Sequence, residues 1–246
     1  MKFFDCSCEF GPYCTQVFRF ARTAEELLAE MDFCGIEKAL VTHTAMRFDG
    51  PAEGNRRNLQ ETRGHPRLLP AWTVVPSCTG EMHSGHALVA EMKTLGIRAL
   101  RLFPLNHRYL LDETTWADQF EVFQERRIPL FIKASLDQIS SFLRFFPKLI
   151  VVTGSQGFNP MDRFGWPLIE KYPNLCFETS SYLCDRILEE FCRKYGAGRL
   201  LFGSGYPENA KGASLFRLFH AEISDSEKKA IAWDNLSRLL SEANLE

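Results

Sequence analysis

Long apolar runs are missing from this chain of 246 residues. No stretch approaches the roughly 20 apolar residues that a helix needs to cross a bilayer. The opening Met1-Lys2-Phe3-Phe4-Asp5 also lacks the apolar core of a secretory signal. A membrane partner is not expected, and a cytoplasmic location is. Basic blocks are missing too, and the formal net charge is −2, so nothing favours nucleic acid as a partner. None of the eight cysteines falls in the paired C-x2-C spacing of structural zinc. Without an export signal they are expected as free thiols. Cys34, Cys176 and Cys192 sit in apolar contexts where cysteine acts as a small hydrophobe. Cys6 and Cys8, spaced C-x-C, are expected in the core.

Two catalytic signatures are absent as well. An open nucleotide-binding sheet carries a G-x-G-x-x-G loop after its first strand, where this chain reads Cys6-Ser7-Cys8-Glu9-Phe10-Gly11. Ser155 and Ser204 have glycine neighbours, but Gly203-Ser204-Gly205 is not the G-x-S-x-G elbow of serine hydrolases.

What is present is an alternation. Apolar strand runs at Lys2–Ser7, Ala39–Thr42, Leu68–Val75, Ile97–Phe103, Leu130–Lys133, Leu149–Thr153, Leu175–Glu178 and Leu200–Phe202 are each followed by a helical pattern. Strands alternating with helices indicate a parallel sheet, and a length near 250 residues suits one (β/α)8 TIM barrel in a single domain, 1–246. Helix signals are local and clear. Thr23 suits an N-cap with Glu26 completing a capping box, and Gly35 suits a C-cap. Closing helices are expected at Phe216–His220 and Glu227–Leu240. Phe18, Phe20, Phe33 and Phe142 to Phe146 are expected in the core or in helix packing. The abrupt ending of the last strand, Leu200-Leu201-Phe202-Gly203-Ser204-Gly205-Tyr206-Pro207, marks a loop at the barrel face where active sites sit.

That ending resembles the last strand of the amidohydrolase-related (amidohydrolase 2) family, which reads Leu-Phe-Gly-Ser-Asp-Tyr-Pro. Gly96-Ile97-Arg98-Ala99-Leu100-Arg101-Leu102-Phe103-Pro104 is similar to the family's fourth strand. Tyr172-Pro173-Asn174-Leu175-Cys176-Phe177-Glu178-Thr179-Ser180 is similar to its Tyr-Pro-Asn-Leu-Tyr-x-Asp-Thr-Ser strand, and Asn235 to Leu240 resembles its closing helix. The matches are collinear over nearly the whole chain. The resemblance implies a metal-dependent hydrolase, yet the ligand positions differ. The family's Asp-x-His-x-His is Asp5-Cys6-Ser7-Cys8-Glu9, so its histidine positions hold Ser7 and Glu9. Its fifth-strand histidine or lysine falls on Lys133, its sixth-strand histidine on Gly154, and its eighth-strand aspartate on Gly205. A zinc ion would find only Glu9 and, if carbamylated, Lys133, short of the roughly three protein ligands it needs. No cofactor is expected, and metal-activated water loses its support.

The polar residues left at strand ends are the site candidates. His43, Lys133 and Glu9 are expected as catalytic groups, and Arg101, His107, Glu178 and Ser7 as substrate-binding groups. His43 follows the second strand and has the chemistry of an acid or base near neutral pH; a bond to a loop carbonyl is its plainer role. Arg101 lies within an apolar strand and needs a partner, either a substrate carboxylate or, in the favoured reading, an ion pair with Glu9 or Glu178. For Lys133 the choice is a lowered-pKa base or Schiff-base nucleophile against a salt bridge to Glu178 or Glu9. His65, His83, His86 and His220 are expected away from the site. Two functions stay open. One is a metal-independent hydrolase of a C–N, ester or lactone bond in a small acidic substrate, since some lactonases resembling this family work without metal. The other is a barrel that has lost its chemistry and binds a small, anionic ligand or a partner. Related barrels often dimerise, so a homodimer is also open.

Overall fold

The computed structural model describes residues 1–13, 20–154, 163–181 and 186–246; Phe18 and Ser155 lie outside them. The strands, all parallel, are β1 (Phe4–Phe10), β2 (Lys38–His43), β3 (Leu68–Pro70), β4 (Trp72–Thr73), β5 (Leu100–Leu102), β6 (Pro129–Ile132), β7 (Ile150–Thr153), β8 (Leu175–Glu178) and β9 (Leu200–Leu201). They pair in the orders β1-β2-β3 and β4-β5-β6-β7-β8-β9. The expected third strand is thus two pieces. β3 pairs with β2, and at Ala71 the bonding changes sides: Ala71 N donates to Val41 O at 3.1 Å, while Trp72 N donates to Ala99 O at 3.2 Å.

The ring is joined between β1 and the chain after β9. Cys6 N donates to Phe202 O at 2.9 Å, Gly205 N to Ser7 O at 2.8 Å and Glu9 N to Tyr206 O at 2.8 Å. This is the (β/α)8 barrel that the alternation predicts. Between Asp5 and Cys8 the register of β1 against β2 slips, a bulge of the kind that re-aims side chains beside active sites. Asp5 holds it, Oδ1 accepting from Ser7 N and Ser204 N, both at 2.9 Å.

Burial follows the layers. Phe4, Cys6, Leu40, Ala71, Ala99, Phe131, Val152, Cys176 and Leu201 form one buried cluster, joined by Leu236, Leu239 and Leu240 of the last helix, Asn235–Glu242. Cys6 and Cys176 thus serve as small core residues. A larger cluster packs strand residues such as Val41, Leu102 and Val151 with helix residues such as Leu27, Leu88, Phe120 and Phe191.

Local signals fared well at helix ends. Helix Ala24–Cys34 starts at Thr23, whose Oγ1 accepts from Glu26 N at 3.3 Å, and ends at Gly35 in the left-handed region. The Glu26 carboxylate, however, accepts from Arg22 N and not from Thr23 N. The expected single helix Glu227–Leu240 is interrupted by a π-helical turn at Ala230–Asp234. Phe142 and Phe146 are buried, but Phe33 on its helix and Phe145 in the turn after the helix Leu136–Leu143 are exposed, correcting their expected packing. Among the described residues no helix is long and apolar enough to cross a membrane.

Candidate active site at the barrel mouth

A cavity of about 250 Å³ opens at the C-terminal ends of the strands, where (β/α)8 enzymes place their chemistry. Ser7, Glu9, Arg101, Lys133, Glu178 and Glu208 bring its polar chemistry, and Phe103 and Phe131 line it with rings.

Glu178 ends β8 and is buried. Its Oε1 accepts from Ser180 Oγ at 2.6 Å and its Oε2 from Ser180 N at 2.9 Å. Burial raises its carboxyl above the ordinary range; the Ser180 bonds and the Arg101 charge pull it back, while the nearby Asp5 adds to the rise. Its position explains Gly154. A Cβ on Gly154 would fall 1.5 Å from Glu178 Oε1, so the carboxyl fills the space of the side chain that the resemblance places there. A Cβ added to Gly203, on the other side, would lie 2.0 Å from Oε2. The Glu178 carboxyl thus lies in the space between Gly154 and Gly203.

Gly205 is equally committed. Its φ of 66° is in the left-handed region that favours glycine. A Cβ there would lie 2.6 Å from Asn209 Nδ2 and 2.8 Å from Ser180 Cβ. The eighth-strand aspartate is lost in backbone conformation as well as in residue type.

Arg101 is buried on β5, but it does not pair with Glu9 or Glu178. Its Nη2 donates to Cys6 O at 2.7 Å and Leu40 O at 3.1 Å, its guanidinium lies 4.9 Å from the centre of the Phe131 ring, and its buried Nε has no hydrogen-bond partner. Sequence reasoning favoured an ion pair; the carbonyls of β1 and β2 take that role instead. Lys133 likewise bonds neither Glu178 nor Glu9. Its Nζ donates to Glu208 Oε2 at 2.5 Å.

Glu208 and Arg47 are site residues that the sequence reading missed. Arg47 lies on the one-turn helix Ala45–Phe48 after β2 and donates through Nη1 to both oxygens of Glu9, at 3.2 and 2.9 Å, and to Glu208 Oε1 at 3.1 Å. Tyr13 adds a bond from its hydroxyl to Glu208 Oε1 at 2.8 Å. A charged chain Glu9–Arg47–Glu208–Lys133 therefore crosses the mouth. Its only sequence signal was two charges placed just beyond strand ends.

The histidines are placed apart from the cavity. His43 is buried with Nδ1 accepting from Ala45 N at 3.1 Å and Nε2 at 3.3 Å from Glu61 Oε1. Burial lowers its pKa, and the Arg57 charge adds to that. It is turned toward the helix Pro51–Thr62, so strand-end position misled the expectation of a catalytic base. His107 Nε2 bonds Met46 O at 2.9 Å. It braces the turn that carries Arg47 and does not line the cavity. His65 pairs with Glu25 at 3.2 Å. Ser7 and Glu9 do line the cavity, with Ser7 offering its carbonyl to Gly205.

The metal that the resemblance implies does not fit these residues. Among the described residues no group of three or more His, Cys, Asp or Glu is placed to hold an ion. Glu9 is neutralised by Arg47, and Glu178 stands where a histidine ligand would be.

The amidohydrolase family model matches residues 22–241, and the chain belongs to that family. No curated protein matches it. Among solved structures it is similar to a 5-carboxyvanillate decarboxylase from Sphingomonas paucimobilis, at 14% identity and a TM-score of 0.76 over 98% of this chain and 99% of that one. A candidate 2-pyrone-4,6-dicarboxylic acid hydrolase from Pseudomonas putida gives 15% identity and a TM-score of 0.75, covering 98% and 97%. An uncharacterised TIM-barrel protein from Bordetella bronchiseptica gives 18% and 0.74, covering 99% of each. At these identities the likeness speaks for the fold.

Proposed function

We propose that the chain is a hydrolase that works without a metal on the ester, lactone or amide bond of a small carboxylate-bearing compound. The observation that carries this reading is Glu178, a buried carboxyl on the cavity wall in the space of a lost ligand. A carboxyl whose pKa burial raises is suited to exchange a proton with the substrate. Ionised, it takes a proton from water as the water oxygen bonds the carbonyl carbon; protonated by that step, it hands the proton to the leaving oxygen or nitrogen as the C–O or C–N bond breaks, so the proton count closes. Arg101, fixed by two carbonyls with Nε unpaired, supplies positive charge near the carbonyl oxygen as it becomes anionic. The two functionally named neighbours described above are named for ring carboxylates, a pyrone dicarboxylic acid and a carboxyvanillate, which supports a substrate of that class.

The rival reading is a ligand-binding barrel without turnover. Ser180 favours it, because its hydroxyl and amide engage both oxygens of Glu178. Hydrolysis of 2-pyrone-4,6-dicarboxylate and of aryl esters in the presence of a chelator separates the two. Turnover is expected, with a drop of about a hundredfold or more in folded Glu178→Gln, the usual range for a general acid–base. Undiminished turnover in Glu178→Gln removes the assignment of Glu178. Thermal stabilisation by the same compounds without any turnover establishes the rival.

A further inference from the structure

Three donors from three parts of the chain converge on one carboxylate. Glu208 Oε1 accepts from Tyr13 Oη at 2.8 Å and Arg47 Nη1 at 3.1 Å, and Oε2 accepts from Lys133 Nζ at 2.5 Å. Tyr13 follows β1, Arg47 follows β2 and Lys133 follows β6. An isolated surface ion pair is worth little, but converging charged and hydroxyl donors are how proteins recognise a carboxylate. Arg47 in particular is built in. Its side chain is 9% exposed, its guanidinium lies 4.8 Å from the Phe48 ring centre and 5.5 Å from that of Phe103, and Glu9 grips it through both oxygens. Its buried Nε has no hydrogen-bond partner. Glu208 is different. It sits on the loop after β9, lines the cavity, and its side chain is 43% exposed, so solvent is open to it.

We infer that Arg47, Lys133 and Tyr13 form a carboxylate-binding subsite at the rim of the cavity, and that Glu208, which lines the cavity, occupies it as the chain's own stand-in for a ligand carboxylate. A ligand carboxylate takes the three donors, Glu208 turns out to solvent, and the charge balance of the mouth is preserved. Glu208 is a strong competitor: although burial pulls the other way, the bonds from Lys133 and Tyr13 hold its carboxyl down to about 2, so it is anionic at neutral pH. The inference rests on the proposed function for the site and narrows its substrate to a small compound that anchors one carboxylate at the rim while its reacting bond faces Glu178.

Self-occupancy multiplies the apparent affinity by the fraction of molecules in which Glu208 has moved away, and so lowers it. Removing Glu208 must therefore tighten carboxylate binding. The probes are benzoate and its neutral isostere benzamide, titrated calorimetrically into the parent and Glu208→Ala, with thermal melting as the folding check. Benzoate affinity is expected to rise about tenfold in Glu208→Ala, about 1.4 kcal/mol, with benzamide unchanged. Adding Lys133→Met, at a half-exposed position, is expected to cancel that gain. Equal or weaker benzoate binding in Glu208→Ala would make Glu208 scaffold and overturn the subsite. An equal gain for benzamide would do so too, since only space would have been created, as would benzoate binding to no variant. Because nothing here reads turnover, a failed hydrolysis assay leaves these outcomes intact.

Discussion

One glycine shows how tightly this site is filled. A side chain at Gly154 would meet the Glu178 carboxyl, with 1.5 Å between its would-be Cβ and Oε1. Gly154→Ala is expected to cost about 1–3 kcal/mol, the usual range for overfilling a packed core, measured by urea unfolding. In a Glu178→Ala background the same change is expected to cost nearly nothing, and the double-mutant cycle reads the coupling directly. Equal costs in both backgrounds would show that the two positions do not compete. Glu178 also sets a pH dependence. Its folded pKa is raised, so above the unfolded carboxylate pKa the native state retains a proton that the unfolded chain has released. Stability contributed by the protonated group then falls as pH rises through that window. As pH rises above the unfolded carboxylate value of roughly 4.3, the parent is expected to lose more melting temperature than Glu178→Gln does; Asp5, raised by burial in the same direction, leaves a residual slope in both. The partners of Arg101 and Lys133 were illegible for a common reason. They lie 95 and 75 residues away, and nothing local distinguishes a carbonyl of Cys6 or the carboxylate of Glu208 from the nearer-looking Glu9 and Glu178.

Strands and helices were legible where their causes are local. Thr23, Gly35 and Gly96 mark helix ends through caps and left-handed turns that a neighbour or two dictates. The break at Ala71 and the bulge in β1 were not, because each depends on which strand lies alongside. The π turn at Ala230–Asp234 hides inside a periodicity that a plain helix shares. Arg101 is the residue through which β5 ties to β1 and β2, its Nη2 reaching Cys6 O and Leu40 O across the barrel. Arg101→Met keeps the apolar stem but leaves two buried carbonyls without a charged donor. A loss of about 1–3 kcal/mol is expected from that desolvated pair, read as a lowered urea midpoint with unchanged slope. Stability equal to the parent would mean that water replaces the guanidinium there.

At the scale of the molecule, the barrel was readable because eight apolar runs alternate with helical patterns, and its chemistry was not, because a site is a meeting of loops. Four strand ends meet at the mouth, and at each the described residues are already committed to other contacts. Glu9 belongs to Arg47, Lys133 to Glu208, the Gly154 space to Glu178, and Gly205 has a backbone that resists a side chain. An ion would have to break at least one of these pairs and still find about three ligands. Elemental analysis after expression with added zinc and manganese is therefore expected to find well under about 0.1 ion per chain, since the donor count falls short of a catalytic site. Added zinc is expected to leave the melting temperature unchanged, because a ligand that binds only the folded state must raise it. About one ion per chain together with a raised melting temperature would mean that Glu9 and Lys133 abandon their partners. That displacement would also take Lys133 out of the donor set, so a metal-loaded protein should bind benzoate less tightly than Glu208→Ala does. The two experiments constrain each other: a mouth closed by its own ion pairs is expected to yield to carboxylates and not to cations.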